Sequence, residues 1–143
     1  MELTLELTSK SSTEDRAAIL NPLLEYNKSL AGDADYIPLN VLVHENIETT
    51  VGGLWGHTAY GWFVIELLFL PERLRGQGIA SSIVQKAESE AVDRDCWNAW
   101  VDTHEFQARG FYEHNGYTLF GELPDYPKGH ARYFMRKSLS NNA

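Results

Sequence analysis

The sequence predicts an α+β fold, a mixed α/β sandwich whose central mixed sheet has helices on both faces. Three observations lead there. The chain has 143 residues, the length of one domain, so 1–143 is read as a single domain. Strand-like and helix-like periodicities alternate along it without repeats, low-complexity tracts or linkers. And the apolar run Trp62 to Leu70 passes through a basic, glycine-rich turn, Arg73-Leu74-Arg75-Gly76-Gln77-Gly78-Ile79-Ala80-Ser81, into an amphipathic stretch reaching about Arg94.

Taken in order, Met1 to Leu7 alternates polar and apolar residues, which reads as a first strand rather than a signal peptide. Ser11-Ser12-Thr13-Glu14-Asp15 offers a capping box, Ser11 with Glu14 or Ser12 with Asp15. Ala17, Ala18, Ile19, Leu20, Leu23, Leu24 and Tyr26 follow at helical spacing, and Pro22 is expected to split this region into two short helices or to kink it. Gly32 and Pro38 mark an exposed connection. Leu39 to His44, Thr49 to His57 and Tyr60 to Leu70 then read as an antiparallel meander, with Asn46 in the first turn. Gly52, Gly53 and Gly56 point to close backbone approach or a bulge in its middle strand.

In the helix that follows the glycine turn, Ile79, Ile83, Ala87 and Ala91 recur every four residues with Val84 beside them, while Gln85, Lys86, Glu88 and Glu90 are assigned to the wet side. Trp97 to Val101 is a strand, and the unit from Trp62 to Val101 is expected to be a parallel crossover. Phe106 to His114 is a short helix stopped by Asn115-Gly116. Tyr117 to Phe120 and Tyr133 to Lys137 are the last strands, with fraying from Ser138 to Ala143. The expected order is strand, two helices, three strands, helix, strand, helix, two strands.

Composition narrows the function. Hydrophobic residues at 43% and charged residues at 22% are ordinary globular values. The single Cys96 excludes an internal disulfide and fits a reducing, cytoplasmic compartment. No apolar run approaches the roughly 18 residues of a membrane span, so no membrane partner is expected. A formal charge of −8 argues against a nucleic-acid partner, which would require a basic face. His104 has no second histidine at metal-ligand spacing, and no metal site is expected. Trp55, Trp62, Trp97 and Trp100 are expected in the core or at a homodimer interface.

The turn itself is a generic anion cradle. A helix start has unpaired N–H groups and a partial positive charge, and Gly76 and Gly78 remove the side chains that would hold a pyrophosphate away. Nucleotide binding fits poorly. A phosphate loop needs Gly-Lys-Ser/Thr, and no lysine stands here. The dinucleotide fingerprint wants a third Gly or Ala where Ser81 stands, and its first Gly directly after the strand, where Pro71 to Arg75 intervene.

The neighbouring motifs resemble those of the GCN5-related N-acetyltransferase (GNAT) superfamily. Arg73, Gly76 and Gly78 match its central Gln/Arg-x-x-Gly-x-Gly/Ala motif, preceded by the matching run Ile65 to Leu70. Phe111-Tyr112-Glu113-His114-Asn115-Gly116-Tyr117 matches its aromatic-Tyr-Glu-x-x-Gly-aromatic motif. The run from Phe120-Gly121 to Asp125-Tyr126-Pro127-Lys128-Gly129-His130, then Tyr133-Phe134, is similar to one bacterial branch of small acetyltransferases.

The resemblance implies acetyl-CoA as donor and transfer of its acetyl group to an amine, expected to be a small molecule. It implies that the pyrophosphate rests on the N–H groups of Gln77, Gly78, Ile79, Ala80 and Ser81 with charge from Arg73 and Arg75, and that the main chain of Leu68 and Leu70 pairs with the pantetheine arm. It implies Tyr112 as general acid for the leaving sulfur. Asp102-Thr103 departs from the Asn often found after this strand, leaving Thr103 and Gln107 as substitute cofactor contacts. Asp125 and His130 lie in the loop that in the family often borders the acceptor pocket. Glu66, alone in an apolar strand, is the candidate base, or the residue that orients a water acting as base. Strand alternation leaves open whether it faces the cleft or a strand edge. A non-catalytic acyl-CoA-binding module on the same scaffold is the alternative, as is an acetyl-enzyme at Cys96 for the mechanism.

Overall fold

The computed structural model describes residues 1–139, so residues 140–143 of the expected frayed end lie outside it. The chain divides into two compact units, Met1–Ala34 and Asp35 onward.

The first unit is built on one helix, α1 (Thr13–Ala31). Of the two capping boxes the sequence offers, Ser12 with Asp15 forms: the Asp15 N–H donates to Ser12 Oγ and the Ser12 N–H to Asp15 Oδ2, each at 3.0 Å. Gly32, at φ +81°, ends the helix by donating its N–H to the Lys28 carbonyl. Pro22 lies inside α1 and does not split it. A proline there forfeits one backbone hydrogen bond, a cost of about 3 kcal/mol that the helix formers on either side, Ala17, Ala18, Leu20, Leu23 and Leu24, absorb. The expected strand at Met1 to Leu7 is absent. Alternation creates a strand only where a partner supplies the ladder, and this unit contains no second strand.

The second unit is a six-stranded mixed sheet in the order β1-β2-β3-β4-β6-β5. The expected meander is β1 (Ile37–Asn46), β2 (Thr49–Ala59) and β3 (Trp62–Phe69), antiparallel throughout. Pro38 belongs to β1 rather than to the connection before it; among the described residues β1 pairs only with β2, and an edge strand tolerates a residue without an N–H. Asn46 turns the first hairpin, its Oδ1 accepting from the Glu48 N–H at 3.0 Å. Tyr60 and Gly61, both at positive φ, make the second. The β2 glycines are required by close approach: a Cβ at Gly53 would run into the Val41 carbonyl, and one at Gly56 into that of Val64.

After β3 a short 3-10 turn (Glu72–Leu74) leads to α2 (Ile79–Asp93), which returns the chain to β4 (Asn98–His104), parallel to β3. The short helix α3 (Arg109–His114) ends at Asn115 and at Gly116, where φ is +93°. Then β5 (Thr118–Leu123) and β6 (Arg132–Ser138) pair antiparallel, and β6 inserts beside β4. Ser138 is therefore ordered in β6 rather than frayed.

The core lies between the sheet and α2. Leu39, Leu54, Phe63, Ile65, Ala99, Val101 and Met135 meet Ile83, Val84, Ala87 and Ala91, with Tyr112 and Tyr117 at one end. Glu88 is a correction. It is buried, because it stands four residues after Val84 and three before Ala91, on the helix face that meets the sheet. None of the four tryptophans is buried: Trp55 and Trp97 are exposed, and Trp62 and Trp100 half-buried. Trp100 alternates with the core residues Ala99 and Val101, so it points to the other face, where Phe134 stands 6.4 Å away. Among the described residues no helix is long and apolar enough to cross a membrane.

Candidate active site

The site is opened by two breaks in the sheet register. The parallel pairing of β3 with β4 ends at Ile65 and Val101. The β2–β3 register runs from Gly56–Ile65 directly to Trp55–Leu67. Glu66 is thus the extra residue of a bulge, and a bulge bends its strand and re-aims its side chain. Past this point β3 and β4 no longer hydrogen-bond to each other, and the gap is a cleft of about 860 Å³.

The start of α2 lines the cleft. Gly76 at φ +74° and Gly78 at φ +80° adopt a backbone that other residues rarely take, and a Cβ at either would meet no atom within 4 Å. The first helical bond runs from the Ser82 N–H to the Gly78 carbonyl, which leaves the amides of Ile79, Ala80 and Ser81 without helical partners. Gly76, Gly78, Ile79, Ala80 and Ser81 all line the cleft. Arg75 lines it too, steadied by a 2.9 Å bond from Nε to the Leu70 carbonyl and by the Phe69 ring beneath its guanidinium.

Arg73 and Gln77 do not line it. Arg73 is ion-paired to Glu45 at 2.6 Å. The Gln77 side chain donates to the Arg73 carbonyl, and Gln77 borders a separate hollow of about 220 Å³ beside Lys86. Two of the expected cofactor contacts therefore fall outside the cleft. A cradle of glycines, three amides without helical partners and one guanidinium nonetheless fits a pyrophosphate.

The same cleft is lined by the groups with chemistry. Leu68 and Leu70 line the wall, Leu70 buried in the core and Leu68 half-buried against it. Tyr112 is buried yet reaches the cleft, and its hydroxyl has no hydrogen-bond partner among the described residues. Burial, and next the charge of Asp102, push its ionisation well above the ordinary phenol value, so it keeps its proton at neutral pH. Thr103 and Gln107 close the loop between β4 and α3: Thr103 Oγ1 donates to Gln107 Oε1 at 3.3 Å, and the His104 N–H donates to the same oxygen at 2.9 Å. Both line the cleft.

Glu66, whose direction alternation left open, is the bulged residue of β3 and one of the residues that line the cleft. Its Oε2 lies 2.6 Å from His57 Nδ1, and the His57 ring stacks on Tyr36 at 4.6 Å between centroids. Asp102 faces the same space, tied to Arg132 by a 2.8 Å bond from Nε. The sequence does not pick out His57, Tyr36, Arg132 or the cleft residue Phe106: strand register places His57 and Arg132, and the chain just outside β1 and β4 places Tyr36 and Phe106.

Asp125 and His130 stand apart. Asp125, at φ +55°, accepts the Gly129 N–H and braces its own turn. His130 pairs through Nδ1 with Glu105 at 2.8 Å and meets Phe106 edge-on, one side chain removed from the cleft. His104 stacks on Phe106, and no group of three metal-ligating side chains occurs among the described residues. Cys96 is 2% exposed and outside the cleft, and burial pushes its thiol up, away from the reactive thiolate.

Comparison with known proteins agrees with this geometry. An acetyltransferase of Agrobacterium fabrum is 38% identical over 131 residues, 92% of this chain and 96% of that protein. The blasticidin-S acetyltransferase of Streptomyces morookaense is 38% identical over 89 residues, 62% of this chain and 65% of that protein. A crystal structure from Agrobacterium tumefaciens superposes with a TM-score of 0.90 at 37% identity, covering 95% of this chain and 99% of that one. With residues 5–117 matching the Acetyltransferase (GNAT) family over the same bulged strand, glycine turn and Tyr112 helix that form the cleft, the chain belongs to that family.

Proposed function

We propose that the protein is an N-acetyltransferase that moves the acetyl group of acetyl-CoA to the amine of a small molecule by direct attack within a ternary complex. The whole chain serves as one catalytic domain, a reading supported by a family match that runs through both units. The observation that carries the reading is one cleft lined both by an anion cradle and by Glu66 and the protonated Tyr112, whose hydroxyl has no hydrogen-bond partner among the described residues.

Acetyl-CoA, when bound, supplies an activated thioester; the protein has to manage two protons. An alkylamine with a pKa near 10.4 is neutral in only roughly one molecule in a few thousand at pH 7, so a base is needed to free the lone pair. Glu66, directly or through a water, takes that proton. As the nitrogen–carbon bond forms and the carbon–sulfur bond breaks, negative charge collects on sulfur. A phenol is a weaker acid than a thiol, so Tyr112 stabilises this charge as a hydrogen-bond donor, and the sulfur acquires its proton as the product nitrogen sheds one. A small acceptor is supported by the related blasticidin-S acetyltransferase.

The test is thiol release from acetyl-CoA across a panel of spermidine, kanamycin, blasticidin S and a lysine peptide, with calorimetry of CoA binding. Amine-dependent release is expected. Tight CoA binding with no transfer to any amine would favour a non-catalytic acyl-CoA-binding module instead, and no binding at all would end the proposal.

A further inference from the structure

We propose that His57 is a positioning residue for acetyl transfer: its Nδ1–H fixes one oxygen of Glu66 so that the other faces the acceptor amine. This rests on the N-acetyltransferase reading above. Within β3, Glu66 is the residue missing from both cross-strand registers, skipped opposite β2 and lying just beyond the last pair with β4. A carboxylate at such a point has several torsions to lose before it can meet a substrate, and backbone pairing does not restrain it.

His57 supplies the restraint. It sits on β2 opposite Val64, and its Nδ1 lies 2.6 Å from Glu66 Oε2. The imidazole is the fixed partner: its side chain is 19% exposed against 40% for Glu66, and Tyr36 covers it at 4.6 Å with the rings 27° apart. Only Glu66 of the pair lines the cleft, so Tyr36, His57 and Glu66 form a line leading into it. An ionised carboxylate only accepts hydrogen bonds, so Nδ1 carries the proton in this contact. The other cleft carboxylate, Asp102, is committed to Arg132. Arg132 holds Oδ1 of Asp102 as His57 holds Oε2 of Glu66, and Glu66 Oε1 is the oxygen assigned to accept the amine proton.

Three variants test this with the most rapidly acetylated amine of the panel. His57→Phe keeps a flat ring against Tyr36 and loses the donor; kcat should fall about tenfold, with the amine KM and the CoA Kd within about threefold of wild type. His57→Asn places an amide N–H near the Nδ1 position and should recover most of the rate. Adding His57→Phe to Glu66→Gln should cost little beyond Glu66→Gln alone, because both remove one function. Unchanged kcat in His57→Phe, failure of His57→Asn to exceed His57→Phe, or additive losses in the double variant would each overturn the role of His57 while leaving acetyl transfer standing. Absence of transfer by the wild type would overturn the functional reading and this role with it, so the two failures are distinct.

Discussion

The Tyr117 hydroxyl donates a 2.7 Å hydrogen bond to Oε2 of Glu88, and both residues are buried. Lys137 donates to the other oxygen at 2.8 Å, so the carboxylate is satisfied on both sides although it lies against the hydrophobic core. The contact joins α2 to β6 and to the entry of β5, and Tyr117 meets the ring of Tyr112 edge-on at 5.7 Å. The polar cluster is thus the floor beneath the proposed hydrogen-bond donor.

Removing Glu88 leaves Lys137 and the Tyr117 hydroxyl without their acceptor. We expect Glu88→Ala to destabilise the fold by about 3 kcal/mol, seen as a fall of roughly 10 °C in melting temperature. Tyr117→Phe, which leaves the Lys137 pair intact, should cost about half as much. Equal stability of Glu88→Ala and wild type in urea titrations would show that the cluster is not a structural support.

Both buried tyrosines also make stability pH-dependent on the alkaline side. Their ionisation is raised, for Tyr112 by burial and then Asp102, for Tyr117 by burial and then Glu88, above the ordinary phenol value of 10.0. A raised folded value means that above pH ~10 the unfolded chain gives up phenol protons that the folded one retains. The contribution is complete below that value and is lost as pH rises beyond it, by up to about 1.4 kcal/mol per pH unit for each tyrosine. Urea midpoints at pH 9, 10 and 11 should fall more steeply for wild type than for Tyr112→Phe; parallel curves would mean that Tyr112 titrates normally.

For catalysis the same substitution isolates the hydroxyl. Tyr112→Phe keeps the ring in the core and removes the hydroxyl of a residue that lines the cleft. kcat is expected to drop about 10- to 100-fold while CoA affinity stays within about twofold, because the hydrogen bond matters only as charge forms on sulfur. Steady-state kinetics with calorimetry would decide, and an undiminished kcat would remove Tyr112 from the mechanism.

What could be read from the sequence divides along the range of the interactions. The Gly76 and Gly78 turn, the Asn46 and Gly116 stops and the Ser12–Asp15 box are local chemistry, written within a few residues of themselves, and each stands where it was expected. The strand at Met1 to Leu7 was misread because alternation describes a surface and not a partner. Glu88 was misread because its charge outweighed its position in the Val84–Ala91 row, and the residues that satisfy it lie 29 and 49 positions away. Glu66 could be named from its isolation in β3, but its direction depended on a bulge, and its His57 partner on the register of a neighbouring strand. His130 and Asp125 were drawn to the cleft by their loop, whose path depends on contacts with Glu105 and Gly129 that no spacing announces.

The two arginines of the turn give the sharpest contrast between the two readings. By sequence they are equivalent cations just before Gly76, but Arg75 lines the cleft and is held there by the Leu70 carbonyl, whereas Arg73 is engaged by Glu45 on the exposed surface. A cation fixed beside the unpaired amides of α2 adds to anion binding, and one held by a solvent-exposed carboxylate adds little. We therefore expect Arg75→Ala to weaken CoA binding about tenfold and Arg73→Ala less than about threefold. Calorimetry at two salt concentrations would also show a shallower salt dependence for Arg75→Ala alone, since only that substitution removes a charge from the bound anion. Equal losses for both would mean that Arg73 leaves Glu45 when the ligand arrives, and that the turn rearranges on binding.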